Sequence, residues 1–424
     1  MEKAMGNAME LMKLELEIEA DMRREGLARY QERIQAVADA TPKTGSDGLP
    51  LAKCRKHEML VRTVFGEAKV TAWCGRCRKS GEWEVPFKER FFRGERSALS
   101  PSLEHKILAT CCETGSFEKC ARVCAEWGCP LSDDKAMDTS RRVGKSCSDS
   151  DLPEFCDNAA GKDDVLICMM DGWMARFMGE DWGKDRSLEL ENRSQWREIR
   201  SGVMFKLSEA VDVSRNRRTI ISKHIVCAPA GESPEEFGRR IEREAKRMGL
   251  ERAKKVYFIM DGQVCLWNIY DVSFSVLAEG TLDYYHALQH LAALAEHLFP
   301  DASEEEARGD WLSSMKKSLR TIGPGKLVQA IAEAERKRLP DEDRKIVERE
   351  CAYFARHEEH MHYDRNAERG VPIGSGAMES QCSQNQNRFK RRGQFWSEDG
   401  FAAFIKVYVR YTNNELEYCY AHAA

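Results

Sequence analysis

The chain has 424 residues, room for two or three domains and a sizeable core, and its net charge of −4 excludes nucleic-acid binding through overall basicity; a local basic face would have to serve. No apolar run approaches the roughly 18 to 20 residues that cross a bilayer, and acids occupy the first turns where a signal peptide carries bases. The expected protein is soluble and cytoplasmic, its 16 cysteines reduced thiols and not a disulfide framework.

Residues 1–44 read as an amphipathic helix, with Leu11, Leu14, Ile18 and Met22 at helical spacing and charged residues between them. Such a stripe either packs on its own domain, the simpler expectation, or pairs with another copy. Thr41 to Pro50 is turn-rich and marks a linker. In the β-like segment 45–97, Cys54 and His57 precede Cys74-Gly-Arg-Cys77. The second pair has the spacing and glycine of a zinc-ribbon turn, and the first could add a sulfur and an imidazole to complete a tetrahedral zinc site. Two unrelated thiol pairs in a small sheet are the alternative.

Over 98–150 the pattern gives short helices broken at Gly115 and at Gly128-Cys129-Pro130, with Ser132-Asp133-Asp134 as a cap. A helix-turn-helix reading, with Arg141, Arg142 and Lys145 as DNA contacts, and a plain three-helix bundle fit equally. Cys120 and Cys124, one turn apart, read as small core-facing residues.

The next stretch, VLICMMDGWMAR from Val165 to Arg176, is an apolar run that delivers Asp171 where Gly172 and Trp173 break the pattern. A polar loop, Gly179 to Ser194, follows, and then alternation fits two antiparallel strands over 197–213 and 218–228. Ser233-Pro234-Glu235-Glu236 starts a helix that runs to about Met248 and stops at Gly249. VYFIMDG from Val256 repeats the first device, ending in Asp261 and a glycine that lets the backbone turn away. Strand with Asp, two strands, helix, strand with Asp is the order of an RNase H-like α/β domain. A third carboxylate is best sought at Glu379, where glycines precede a helix start and basic residues follow. Three carboxylates converging on one spot repel one another without cations, and such hard oxygen ligands suit Mg²⁺ or Mn²⁺; the implied chemistry is two-metal phosphoryl transfer.

Asp171-Gly172, Asp261-Gly262, the stretch LDYYHALQHL from Leu282, and GSGAMES from Gly374 followed by Arg388-Phe389-Lys390 and Gly393-Gln394-Phe395-Trp396-Ser397 together resemble DDE transposases of prokaryotic insertion sequences. The resemblance is to the ISKra/ISLre group, related to Mutator-like transposases, and spans roughly residues 50 to 420. It implies that Asp171, Asp261 and Glu379 are an acidic triad holding two divalent ions. It also implies that Asp283 and His286 form the Asp-x-x-His signature, and that 301–369 is a helical insertion in a catalytic domain made of 160–300 and 370–424. Where family members often carry a paired-cysteine knuckle, this chain has Cys54 and His57. The implied partners are transposon ends and target DNA, handled by a dimer or larger assembly: hydrolysis at the end frees a 3′-hydroxyl that then attacks the target. A domesticated DNA-binding regulator and a nuclease without strand transfer are the other readings.

Several side chains have plainer uses as well. His286 orients Asp283, meets a DNA phosphate, or simply sits in the core beside Leu288, Leu291 and Leu294. Trp267 either packs or stacks on an extruded base. His357, His360 and His362 with Glu358 and Glu359 read as an exposed helix face. Arg388, Lys390, Arg391, Arg392, Lys406 and Arg410 make the C-terminal segment cationic, which would hold DNA in a salt-sensitive way.

Overall fold

The computed structural model describes residues 2–92, 98–184, 189, 193–214, 217–321, 324–335 and 339–420. Two compact units emerge, Met1–Leu152 with Lys406–Ala424, and Pro153–Ile405, so the last residues group with the N-terminal unit and not with 370–405. The described residues form a mixed α/β protein, and no helix among them is long and apolar enough to cross a membrane.

The first unit opens on a long helix, α1 (Glu2–Ala40), followed by β1 (Ala52–Thr63), β2 (Gly66–Arg76), β3 (Trp83–Glu84), α2 (Pro86–Phe92) and β4 (Ala98–Leu99). The strands form one sheet in the order β3-β2-β1-β4. Tyr30, Ile34 and Ala38, near the end of α1, pack with Val61, Val70, Ala72 and Phe87. The stripe expected to pack earlier in α1 does not: Leu11, Leu14, Ile18 and Met22 are 63%, 52%, 51% and 67% exposed. Length explains it, because 39 helical residues span about 58 Å, whereas the 11-residue strand β2 beneath, to which Gln35 bonds at Thr71, spans about 36 Å.

Three helices follow, α3 (Pro101–Glu113), α4 (Phe117–Glu126) and α5 (Asp133–Ser146), each begun by a serine whose hydroxyl accepts an amide from the first turn: Ser100, Ser116 and Ser132. Cys111, Cys120 and Cys124 are fully buried between them, the Cys111 and Cys120 sulfurs 3.2 Å apart, as expected of small core residues.

The second unit contains β5 (Val165–Met178), β6 (Ser194–Lys206), β7 (Ala210–Ser214), β8 (Arg217–Ile220), β9 (His224–Cys227), α6 (Pro234–Arg247), β10 (Lys255–Met260), α7 (Val264–Ser273), β11 (Glu279–Leu282) and α8 (Tyr284–Leu298). Five of the strands make one sheet in the order β11-β10-β5-β6-β9, with β5, β10 and β11 parallel to one another and β6 antiparallel to both β5 and β9. The two long strands expected over 197–228 are in fact four. A 3-10 turn at Leu207–Glu209 ends β6, and β7 and β8 pair only with each other as an exposed ribbon.

Helix α6 begins with a capping box between Ser233 and Glu236 and Pro234 in its first turn, and ends before Gly249, whose φ of +87° only glycine adopts readily. Its Phe237, Ile241 and Ala245 join Met170, Met204 and Val226 in the main core. Beyond α8, the described residues of 301–369 are helical: α9 (Glu305–Thr321), α10 (Pro324–Glu335), α11 (Asp341–Arg356) and α12 (Tyr363–Glu368). Leu319, Leu327, Val347 and Phe354 from these helices are buried in the same core as the sheet. Last come α13 (Gly376–Phe389) and α14 (Glu398–Thr412).

Candidate active site

Strands β5 and β10 run parallel and in register from Val165 opposite Lys255 to Met170 opposite Met260. The next residue on each strand is an acid, so Asp171 and Asp261 stand on neighbouring strands at the same level. The expectation that β5 ends at Asp171 fails: it continues through Gly172 to Met178 as a hairpin with β6. What ends there is the parallel pairing, since β10 stops at Met260 and the chain leaves for α7. Asp171 therefore sits at the edge of the parallel sheet although it lies mid-strand.

The third parallel strand, β11, ends at Leu282, and Asp283 follows as the N-cap of α8. Its Oδ1 accepts the amides of Tyr285 at 2.7 Å and His286 at 2.9 Å, and its Oδ2 accepts the Ser375 amide at the start of α13. Asp283 is fully buried; burial alone would raise its pKa, but His286 and Ser375 outweigh that and hold it at about 2. Through Asp283 the α13 N-terminus is pinned to the sheet edge, and Ile373 O accepts the Tyr284 amide at 2.9 Å. Glu379, in the first turn of α13, then faces His286: ligand atoms of Asp283, His286 and Glu379 all lie within 4.8 Å of one another. One turn further on, the Cys382 thiol donates to Asp171 Oδ2 at 3.6 Å.

The electrostatics are those of a site short of positive charge. Burial pushes the Asp171 carboxyl above the usual carboxylate range against the Gly172 amide, and Asp261 adds to it. Burial does the same to Asp261 against the Gln263 amide and His286, with Asp283 and Glu198 pushing further. His286, whose Nδ1 lies 3.5 Å from Asp283 Oδ1, is pushed up by that carboxylate and then by Asp261 and Glu379. Helices α7, α8 and α13 all begin at this edge, and their N-terminal dipoles partly offset the acids. A set of hard oxygens around Asp171 and Asp261, whose charged forms burial disfavours, fits a divalent cation.

Glu198 on β6 carries no sequence signal, yet it accepts Gln263 Nε2 at 3.0 Å, next to Asp261, and lies over Gly172. Nothing in the alternation of β6 marks it out. Trp267 is a core residue, its indole N–H donating to the Asp261 carbonyl at 2.6 Å and its ring stacked 4.2 Å from His360. Of the histidines expected on an exposed face, His357 is interior, 2% exposed with its pKa lowered by burial to about 4, while His360 and His362 are half-buried. The reason is a cluster of rings, since Tyr353 stacks 3.7 Å from His290 and packs against His357.

The other expected sites hold together less well. Cys54, His57, Cys74 and Cys77 do not converge among the described residues. Cys54 is exposed and donates to Leu51 O, while the Cys77 thiol donates to Asp47 Oδ2 at 3.2 Å. Strand β1 is irregular between Ala52 and Arg55, where Cys54 lies beside Gly75, and His57 pairs further along with Ala72. Arg142, expected at DNA, is paired instead with buried Glu104 and ties α5 to α3; Arg141 lies 3.9 Å from Asp138, and Lys145 is exposed. Arg388 is 4% exposed, its guanidinium 4.2 Å over the Phe404 ring, and Arg410 is buried against Ser148 O and Asp149. Lys390, Arg391, Arg392 and Lys406 are exposed.

No protein-family model matches the chain, and no curated protein does. A solved structure, the Drosophila P element transposase strand transfer complex, is similar over 78% of this chain and 82% of that one, at 10% identity and a TM-score of 0.28. A likeness of that size identifies neither a family nor a reaction.

Proposed function

We propose that the chain is a DNA transposase of the DDE type, with an RNase H-like catalytic domain, acting on DNA ends and target DNA as a multimer. One observation carries this reading: Asp171 and Asp261 extend neighbouring parallel strands at the same level, and the helix bearing Glu379 is pinned to that edge through Asp283. The strand order β11-β10-β5-β6-β9, with β5, β6 and β9 paired antiparallel before helix α6 leads to β10, supports the RNase H-like assignment. Exposed Leu11, Leu14, Ile18 and Met22 of α1 would give a second copy an apolar face.

Asp171, Asp261 and Glu379, with Asp283 and His286 beside them, would hold two divalent ions, Mg²⁺ or Mn²⁺. Bound there, the ions supply charge neutralisation at the scissile phosphate and a water or 3′-hydroxyl made acidic enough to attack it. The chain's own contribution is positioning. The Gly172 and Gln263 amides bond Oδ1 of Asp171 and of Asp261, and the Cys382 thiol meets Asp171 Oδ2, so each carboxylate is held in one orientation. Asp283, locked by three amides, fixes the ring of His286 toward Glu379. Exposed Lys390, Arg391 and Arg392 follow the end of α13 and suit a phosphate backbone.

The test is a strand-transfer assay with purified protein, Mg²⁺ or Mn²⁺, the DNA ends flanking its own gene and a supercoiled plasmid, beside Asp261→Asn. Joined products from the wild type and none from the variant are expected. Cleavage without joining would make it a nuclease, and end binding without metal-dependent cleavage would make it a binding protein that keeps only the fold.

A further inference from the structure

Beyond Gly172 the β5–β6 hairpin carries a run of alternating cations and rings. Lys390 Nζ lies 5.1 Å from the Trp196 ring, and the Arg176 guanidinium lies 5.5 Å from Trp196 and 4.9 Å from Phe395. Phe395 is 4.7 Å from Trp182, and the Arg193 guanidinium lies 5.9 Å from the Trp182 ring. The series Lys390, Trp196, Arg176, Phe395, Trp182, Arg193 is thus continuous. Three segments distant in sequence build it: the tail of β5 with the turn after it, the start of β6, and the segment after α13, which joins β5 where the Trp396 amide bonds Arg176 O at 3.0 Å.

The ladder is on the surface and charged. Trp196 is 49% exposed and Met174, two residues before Arg176 on the same strand face, 37% exposed. Arg391 and Arg392 extend the positive end. Against these cations stand Glu180, Asp181 and Glu398, of which Asp181 is near Lys184 and Glu398 is bonded to Arg197. Packing alone gives no reason to leave a tryptophan half in water between two cations. Flat rings between cations are what unpaired bases stack on while their phosphates are neutralised. Arg176 is paired with Trp196 five residues along the strand from Asp171, about 17 Å away, a path of about five nucleotides at 3.4 Å each.

We propose that this ladder is a binding site for unpaired nucleotides of the DNA strand that passes the acidic site, with Trp196 and Trp182 as the stacking platforms. The proposal rests on the nucleic-acid reading above and adds a single-strand preference that the acids cannot provide. The test is anisotropy of a fluorescein-labelled oligo(dT) of 15 nucleotides, and of a duplex of equal length, in EDTA at fixed salt, with tryptophan quenching as a second signal. Trp196→Ala and Trp182→Ala should each weaken the single strand by about tenfold or more and the duplex by less than about twofold, while Trp196→Tyr keeps most of the affinity. Circular dichroism checks that the variants fold. Unchanged single-strand affinity in the double alanine variant overturns the ladder, as does an equal loss on single strand and duplex. Intact single-strand binding by a protein that never cleaves DNA would sink the transposase reading and leave the ladder standing.

Discussion

Gly262→Ala should damage the protein through one side chain, Tyr353. The glycine's φ lies outside the left-handed region, so alanine meets no backbone strain there. A Cβ at this position would, however, stand 2.1 Å from Tyr353 Cε2 and 2.8 Å from its Cζ and Oη. The ring cannot step aside: it is stacked 3.7 Å from His290, with Phe354 and His357 at 5.4 Å and 5.1 Å. Overpacking of this kind costs about 1–3 kcal/mol. It would also displace Asp261, and a shift of about 1 Å at reacting groups costs about a hundredfold in rate.

The double-mutant cycle makes the reasoning refutable. Tyr353→Ala alone should cost about 3 kcal/mol for a large, mostly buried ring. The pair Gly262→Ala with Tyr353→Ala should be better than additive by about 1 kcal/mol or more, because the truncated side chain no longer meets the new Cβ. Urea denaturation followed by circular dichroism measures all four corners. Additivity within about 0.5 kcal/mol would mean that the close approach is not what demands glycine.

Since burial raises Asp171 and Asp261, their charged forms cost stability in the metal-free protein: stability should fall as pH rises through their elevated pKa values, and Asp171→Asn or Asp261→Asn should melt no lower than the wild type at neutral pH. Mn²⁺ at a hundredfold excess over its Kd should add about 2.7 kcal/mol, about 3–5 °C in Tm by thermal shift for a chain of this size, to the wild type and far less to either variant. Arg388→Ala should lower stability by about 1–3 kcal/mol through lost packing on Phe404 without changing the salt slope of DNA binding, whereas Arg391→Ala should lower that slope by about 1. Glu244→Gln should cost about 3–5 kcal/mol by leaving charge unpaired in a buried network, since Glu244 meets His224 at 3.1 Å and Arg247 at 2.6 Å. Burial opposes the His224 charge, but Cys156 and Glu244 hold it up to about 9, so its contribution is full below 6.5 and lost as pH rises through about 9; His224→Gln should flatten that alkaline limb in urea melts at several pH values.

The elements whose fate depends on local chemistry were legible in the residues. Serine caps, Pro234 inside the first turn of α6, Gly249 at its end and the apolar runs into Asp171 and Asp261 all act within a few positions of themselves, and the folded chain has them where the pattern puts them. What could not be read is whatever a distant segment decides. Asp171-Gly172 and Asp261-Gly262 look alike in sequence, yet one dipeptide continues a strand because β6 accompanies it, while the other ends one because β10 has no partner beyond Met260.

Charge is the poorest guide for the same reason. Arg388 stands in a basic run beside Lys390, Arg391 and Arg392, and only the position of Phe404, from a helix further on, sends it inward while the others stay outside. His357 and His360 read as surface residues until Trp267 arrives from α7 to cover them. Conversely, nothing in the pattern singles out Trp196 or Trp182, and only the fold shows their rings beside Lys390, Arg176 and Arg193. A run of like residues in sequence therefore predicts a site only where one element can deliver the whole run to one face, as the start of α13 does for Glu379 and, one turn on, Cys382, both aimed at the sheet edge.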